Sequence, residues 1–206
     1  MSLLFHDAEL MELMQAFHRL SGIRIILFDE NCVELLSYPE GKASFCECMR
    51  KTAAFDEKCR LCDKEAMDQA RKGKKLYVYK CHAGFIEAAT PITEGERIIG
   101  YMMFGQITDN KNKDDFFRKM TALCEEYRVG DMTEQIRQIK YRSEKQILAA
   151  AKILDACTGY IQMKEYVHSS GRELIDSIGQ FVEAHIQEDI DVARLCREFH
   201  ISRTRL

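Results

Sequence analysis

Between Leu76 and Ile107 the chain reads as strand, tight turn, strand, tight turn, strand, and few folds can house that pattern. Leu76 to Cys81 is the first strand and carries Tyr77 and Tyr79. His82-Ala83-Gly84 turns it into Phe85 to Thr93, and Glu94-Gly95-Glu96 turns that into Arg97 to Ile107. A meander this apolar must bury a face, so the flanking segments have to cover it. Ile23 to Phe28 and Cys32 to Tyr38 read as two further strands around the polar turn Asp29-Glu30-Asn31. Residues 3–20 read as an amphipathic helix, with Leu3, Leu10, Leu13, Met14, Phe17 and Leu20 at helical spacing and Ser21-Gly22 ending it. After Pro39-Glu40-Gly41, two short helices are expected at 44–54 and 56–72, and another at 112–128 with Phe116, Phe117, Met120 and Leu123 inward.

The sum is an α+β fold: a five-stranded antiparallel sheet with helices on one face, the usual build of small sensing domains of the PAS and GAF kind. Residues 1–131 are expected to form this domain, a candidate for ligand sensing that the fold alone does not establish. From Met132 to about His168 the pattern predicts one long signalling helix. Ile147, Leu154 and Ile161 are seven apart, as are Ala150 and Cys157, which gives a two-heptad seam and predicts a homodimer. Residues 169–206 begin a new helical unit after Ser169-Ser170-Gly171.

Composition excludes several classes. A chain of 206 residues with 46% hydrophobic content can bury one full domain and a small appendage. A formal net charge of -3 gives no global basic field for nucleic acid. No apolar run approaches the ~20 residues that span a bilayer, so no membrane role is expected. The start, MSLLFHDAELMELM, has acidic residues inside its apolar pattern and is not a signal peptide. Nine cysteines without an export signal point to reduced thiols in the cytoplasm.

Those cysteines cluster. Cys46-x-Cys48, Cys59-x-x-Cys62 and Cys81 fall in one stretch, and His82 follows the last. Paired thiols at such spacings suit zinc or another thiolate-bound metal, with Cys59 and Cys62 as one half of a site and Cys46 and Cys81 as the other. Free cysteine is equally a small core residue, so thiols lining a pocket or core are the competing reading, and a redox switch is a third. His82 would then sit at the rim. Glu87 and Gln106 stand inside apolar strands, where a buried polar group needs a partner; a small ligand or the backbone can supply it. Gly105 beside Gln106 permits a close approach. Tyr79, His82, Glu87, Met103 and Gln106 are therefore the candidate ligand contacts. An enzyme is not expected. There is no Gly-rich phosphate loop, and Cys81 and His82, as neighbours on a strand, point to opposite faces.

In order, Phe45-Cys46, Lys58-Cys59-Arg-Leu-Cys62-Asp63, Tyr79-Lys-Cys81-His82-Ala-Gly84-Phe85, Ala89-Thr-Pro91-Ile92, Gly100-Tyr and Gly105-Gln106-Ile107 resemble the PocR sensory-domain family over about residues 5–165. The resemblance implies a variant PAS-like fold that binds a small hydrocarbon derivative such as a diol, attached to bacterial transcription factors or sensor kinases. Cys48 departs from the family's recurring cysteines. The tail, Ile175 to Leu206, resembles the opening of an AraC-type DNA-binding domain. Asp191 can N-cap a helix bearing Val192, Leu195, Cys196 and Phe199, and Ser202 can cap a recognition helix that begins Ser202-Arg203-Thr-Arg205. From Ser169 onward five Arg face seven Asp and Glu, which is wrong for an autonomous DNA binder. The helix-turn-helix is truncated, so DNA is expected as a partner only of a longer version of the chain.

Overall fold

The computed structural model describes residues 3–169, 172–188 and 190–199. The elements run β1 (Leu3–Phe5), α1 (Asp7–Ser21), β2 (Arg24–Asp29), β3 (Glu34–Tyr38), α2 (Ser44–Met49), α3 (Ala53–Gly73), β4 (Tyr77–Lys80), β5 (Ile86–Glu94), β6 (Arg97–Thr108), α4 (Lys113–Glu126), α5 (Thr133–Arg137), β7 (Lys140–Tyr141), α6 (Glu144–Met163), β8 (Val167–Ser169), α7 (Arg172–Ala184) and α8 (Val192–Glu198). The chain divides into two units, 5–167 and 168–206 with 1–4.

In the larger unit the five expected strands form one sheet in the order β3-β2-β6-β5-β4, antiparallel throughout. β6 lies at the centre because it is the longest and most buried strand, and its apolar run has no polar face to give to water. Two corrections apply. A sixth, two-residue strand, β7, pairs in parallel with Ile107–Thr108. Helices also cover both faces, not one. On one face α3 places Met67 and Ala70 against Ile26, Phe28, Ala89, Tyr101 and Met103. On the other, Phe17 of α1 stacks on Phe104 at 6.1 Å, and Asp155 of α6 accepts from Thr90 Oγ1 at 3.0 Å.

The first helix begins at Asp7 and not at Leu3, because Leu3–Phe5 is strand β1, paired with β8. It ends as expected, at Gly22 in the left-handed region (φ 66°), whose N–H donates to His18 O at 2.6 Å.

The single helix expected over 132–168 is two helices with a strand between. Ser143-x-x-Gln146 closes a capping box at the start of α6, so the helix restarts there. Just before it, Arg142 caps the far end of α1, donating to Ser21 O from Nε at 3.1 Å and Nη2 at 2.9 Å. The heptad seam is internal. Leu154 and Ile161 are fully buried within this unit and Ile147 nearly so, so these residues present no exposed face to a second copy. α6 thus belongs to the larger unit.

In the smaller unit, Asp191 N-caps α8 as expected, accepting from Arg194 N–H at 2.7 Å. Phe199 meets Phe181 of α7 edge-on at 5.6 Å. Ser202, Arg203 and Arg205, the expected DNA contacts, lie outside the described residues.

Candidate functional site

The site is built where β4, β5 and β6 face α2 and α3. Opposite Glu87 the β5–β6 ladder slips: Ile86 pairs with Ile107 and Ala88 with Phe104, so β6 carries one extra residue. Gln106 takes the strained position, at φ 66°. Its side chain offsets that strain by accepting the Ala43 N–H at 2.5 Å, which ties the entry to α2 onto the bulge. Glu87 lies over Gly105. A Cβ there would stand 2.6 Å from Glu87 Cγ, so only glycine lets the carboxyl lie flat on the sheet.

Above Glu87, α3 supplies Phe55, Cys59 and Asp63, four residues apart and so on one stripe. Tyr79, the cross-strand neighbour of Glu87, donates its hydroxyl to Asp63 Oδ1 at 3.2 Å and stands 4.0 Å from Met103 Sδ. Arg50, at the end of α2, donates to Asp63 Oδ2 at 3.2 Å. Its Nε stands 2.9 Å from Asp56 Oδ1, an ion-pair distance without hydrogen-bond alignment. Glu87, Phe55, Cys59, Asp63 and Arg50 line a cavity of about 20 Å³, together with Cys46, Cys81 and Gln106. That is room for roughly one water. Arg50 and Asp63 also line an open cleft of about 960 Å³ between α3 and the β2–β3 edge. The Arg50–Asp63 ion pair therefore stands at the boundary that the small cavity and the large cleft share.

The electrostatics follow from burial. Glu87 is buried beside the Asp63 carboxyl, and its proton is held up to about 8. Asp63 is also raised, by burial that outweighs Arg50. Tyr79 is held neutral by burial and by the two carboxyls around it. Burial pushes Cys59 up to about 12 and raises Cys46 and Cys81 as well, with Glu87 the next cause for the latter two. His82 Nε2 is 3.2 Å from Cys59 Sγ, and its ring packs on Phe55 at 4.5 Å. Burial, with Lys58 and Arg50 nearby, lowers the His82 pKa, so the pair is a neutral thiol and a neutral imidazole.

Of the expected ligand contacts, Glu87 and Gln106 line the chamber, Tyr79 joins it through Asp63, Met103 lies behind Tyr79, and His82 stands outside on Cys59. Of the expected thiols, Cys46, Cys59 and Cys81 line the chamber and Cys62 does not. Among the described residues, no three His, Cys, Asp or Glu side chains gather as a metal ion would require. All nine cysteines are free. Arg50 carries no mark in the sequence, and Asp63 stands there only as the last residue of the Lys58-to-Asp63 motif, with no role assigned. Asp63 was findable, since it stands four residues after Cys59 and four before Met67, a charge inside an apolar stripe.

An antiparallel sheet covered by helices, with a small cavity against its central strands, is a fold of the PAS and GAF kind. A family model described as "Sensory domain found in PocR" matches residues 4–166, and the chain belongs to that family. Among curated proteins it is 23% identical over 128 residues to the regulatory protein PocR of Salmonella typhimurium, covering 57% of this chain and 41% of that protein. The chain therefore spans about two fifths of the length of this relative. Among solved structures, a GAF domain/HD domain protein from Geobacter sulfurreducens aligns over 76% of this chain and 93% of its own, at 14% identity and a TM-score of 0.35. That likeness is too low to bear on function. Among the described residues, no helix is long and apolar enough to cross a membrane.

Proposed function

We propose that residues 5–167 are the effector sensor of a bacterial transcription regulator of AraC type, and that the effector is a small hydrocarbon derivative carrying two hydroxyl groups. The observation that carries this reading is the buried Glu87–Asp63 pair with Tyr79 between α3 and the sheet. Two carboxyls buried between α3 and the sheet weaken the fold, and an apolar replacement would serve packing better. A diol matches what they offer. Glu87, protonated near neutral pH, gives one donor and one acceptor, Asp63 gives a further acceptor, and Phe55 and Phe85 supply apolar walls. A chamber of about 20 Å³ must enlarge to admit such a molecule. The Arg50–Asp63 ion pair is the wall that opens into the cleft. An effector that binds only the opened form shifts the α2–α3 layer by its difference in affinity for the two forms. In a longer protein that shift would bias DNA heads built from the C-terminal unit. We read the Cys59–His82 contact as part of the wall and not as a nucleophile and base, since both groups are neutral.

A calorimetric titration with short 1,2-diols and matched primary alcohols tests this. Diols are expected to bind at least about tenfold tighter than alcohols, the value of one more buried hydrogen bond. Glu87→Gln and Asp63→Asn are expected to weaken them by a similar factor. Equal affinity for diol and alcohol, or diol binding unmoved in both variants, would overturn the assignment.

A further inference from the structure

α1 and α6 lie side by side in the larger unit and run antiparallel. Arg142, just before α6, donates to Ser21 O at the end of α1, and the His6 N–H, just before α1, donates to Tyr166 O, just after α6. An open groove of about 670 Å³ runs between the two helices, lined by Leu13, Ala16, Ile153, Ala156, Cys157 and Tyr160. Leu20 and Met163, further along the same helices, are the two most exposed large apolar side chains of this unit among the described residues. Gly159 stands on the exposed side of α6. An added Cβ there would meet nothing within 4 Å, so the unit's own packing does not call for glycine, although glycine weakens a helix. A glycine and exposed alanines on a helix let another helix approach closely.

Charge selects what covers this face. Glu9 and Glu12 stand exposed on α1, and Lys145 and Lys152 on α6; among the described residues none of the four has an ion-pair partner. A second copy of the chain matches that pattern in one arrangement. Turned about a two-fold axis parallel to the helices, its α1 lies on α6 of the first copy and its α6 on α1, so each acidic helix meets a basic one. Turned about an axis across the helices, α1 meets α1 and α6 meets α6, and like charges face each other. We propose that the chain forms a homodimer through this face, a four-helix layer in which Glu12 of each copy meets Lys152 of the other. Both residues line the groove, so they stand at nearly one level along it. Helices of 15 and 20 residues give a face about 25 Å long and about 20 Å wide, on the order of 500 Å² per copy. That is at the low end for a specific dimer, so its affinity is expected in the micromolar range. The seam of Ile147, Leu154 and Ile161 stays buried inside each copy, on the opposite side of α6. The two α6 helices are parallel in this arrangement, so both chains leave their larger units at the same end.

The test is sedimentation of the full chain from about 1 to about 200 μM at fixed, low ionic strength. A monomer–dimer equilibrium is expected. Ala156→Glu sets a charge in the middle of the face and should abolish the dimer. Ala156 is exposed, so the melting temperature at the lowest concentration, where the wild type is also monomeric, should not move. Glu12→Lys and Lys152→Glu should each weaken the dimer at least about fivefold, since each sets like charges opposite one another at two symmetric places. The double variant Glu12→Lys/Lys152→Glu should regain most of the wild-type affinity, which a loss of packing alone would not allow. A monomer across the whole range would overturn the proposal and leave the face to a different partner. A dimer unmoved by Ala156→Glu, or a double variant no tighter than the single ones, would overturn it equally.

Discussion

Replacing Glu87 by Gln should change how stability depends on pH, and the structure sets the size. An ordinary glutamate releases its proton near 4.5, while Glu87 holds its proton up to about 8 because it is buried beside Asp63. Between those values the folded chain keeps a proton that the unfolded chain has lost. Stability from this group is therefore complete below about 4.5, falls as pH rises, and is gone above about 8. At about 1.4 kcal/mol per pH unit the whole window is worth about 5 kcal/mol. For a domain of this size, each kcal/mol moves the melting temperature by about 2–4 °C, so wild type should lose on the order of 10 °C between pH 5 and 8.5. Asp63, raised by its own burial, acts in the same direction. Tyr79 and the thiols of Cys46, Cys59 and Cys81, all raised by burial, stay protonated across this range, and Arg50, raised by the acidic groups around it, stays charged. Glu87→Gln removes the titration and keeps the shape. Thermal unfolding of both proteins across the range should show a shallower slope for the variant, and the two curves should cross or diverge toward high pH. Parallel curves would refute the reasoning, because they would mean that Glu87 is ionised in the fold like any surface glutamate.

Gly105→Ala drives a Cβ into the Glu87 side chain and should cost about 1–3 kcal/mol by denaturant unfolding; a neutral outcome would mean that Glu87 does not lie over the bulge. Leu154→Ala opens a cavity under α6 and should cost about 2–5 kcal/mol while leaving the sedimentation behaviour unchanged; altered sedimentation with little loss of stability would restore the seam as an interface. Cys46, Cys59 and Cys81 should resist alkylation near pH 8 in the native chain and react on unfolding, as mass spectrometry can follow; rapid native labelling of Cys59 would mean that a thiolate is present.

The sheet was legible because each of its five strands is bounded by a turn with its own residue signature, as at His82-Ala83-Gly84 and Glu94-Gly95-Glu96. The break before α6 was legible too, in Ser143-x-x-Gln146, but the seven-residue spacing that follows it drew the eye past it. Spacing alone does not say whether Ile147, Leu154 and Ile161 meet another chain or their own sheet. Glu87 and Gln106 stood out as polar residues in apolar strands, and both reach the chamber. Arg50 carries no such mark, since an arginine at the end of a short helix reads as a solvated charge until α3 folds Asp63 against it. The thiols were visible as a cluster, but the 3.2 Å contact of His82 with Cys59, and not with its neighbour Cys81, depends on how α3 sits over the strand end. No local pattern records that.

A crystal structure of residues 5–167 with the tightest-binding short diol should show ligand density between Glu87 and Asp63, with the Arg50–Asp63 ion pair parted and the chamber joined to the cleft. Density elsewhere, with the chamber still the size of a single water, would mean that no diol binds under α3.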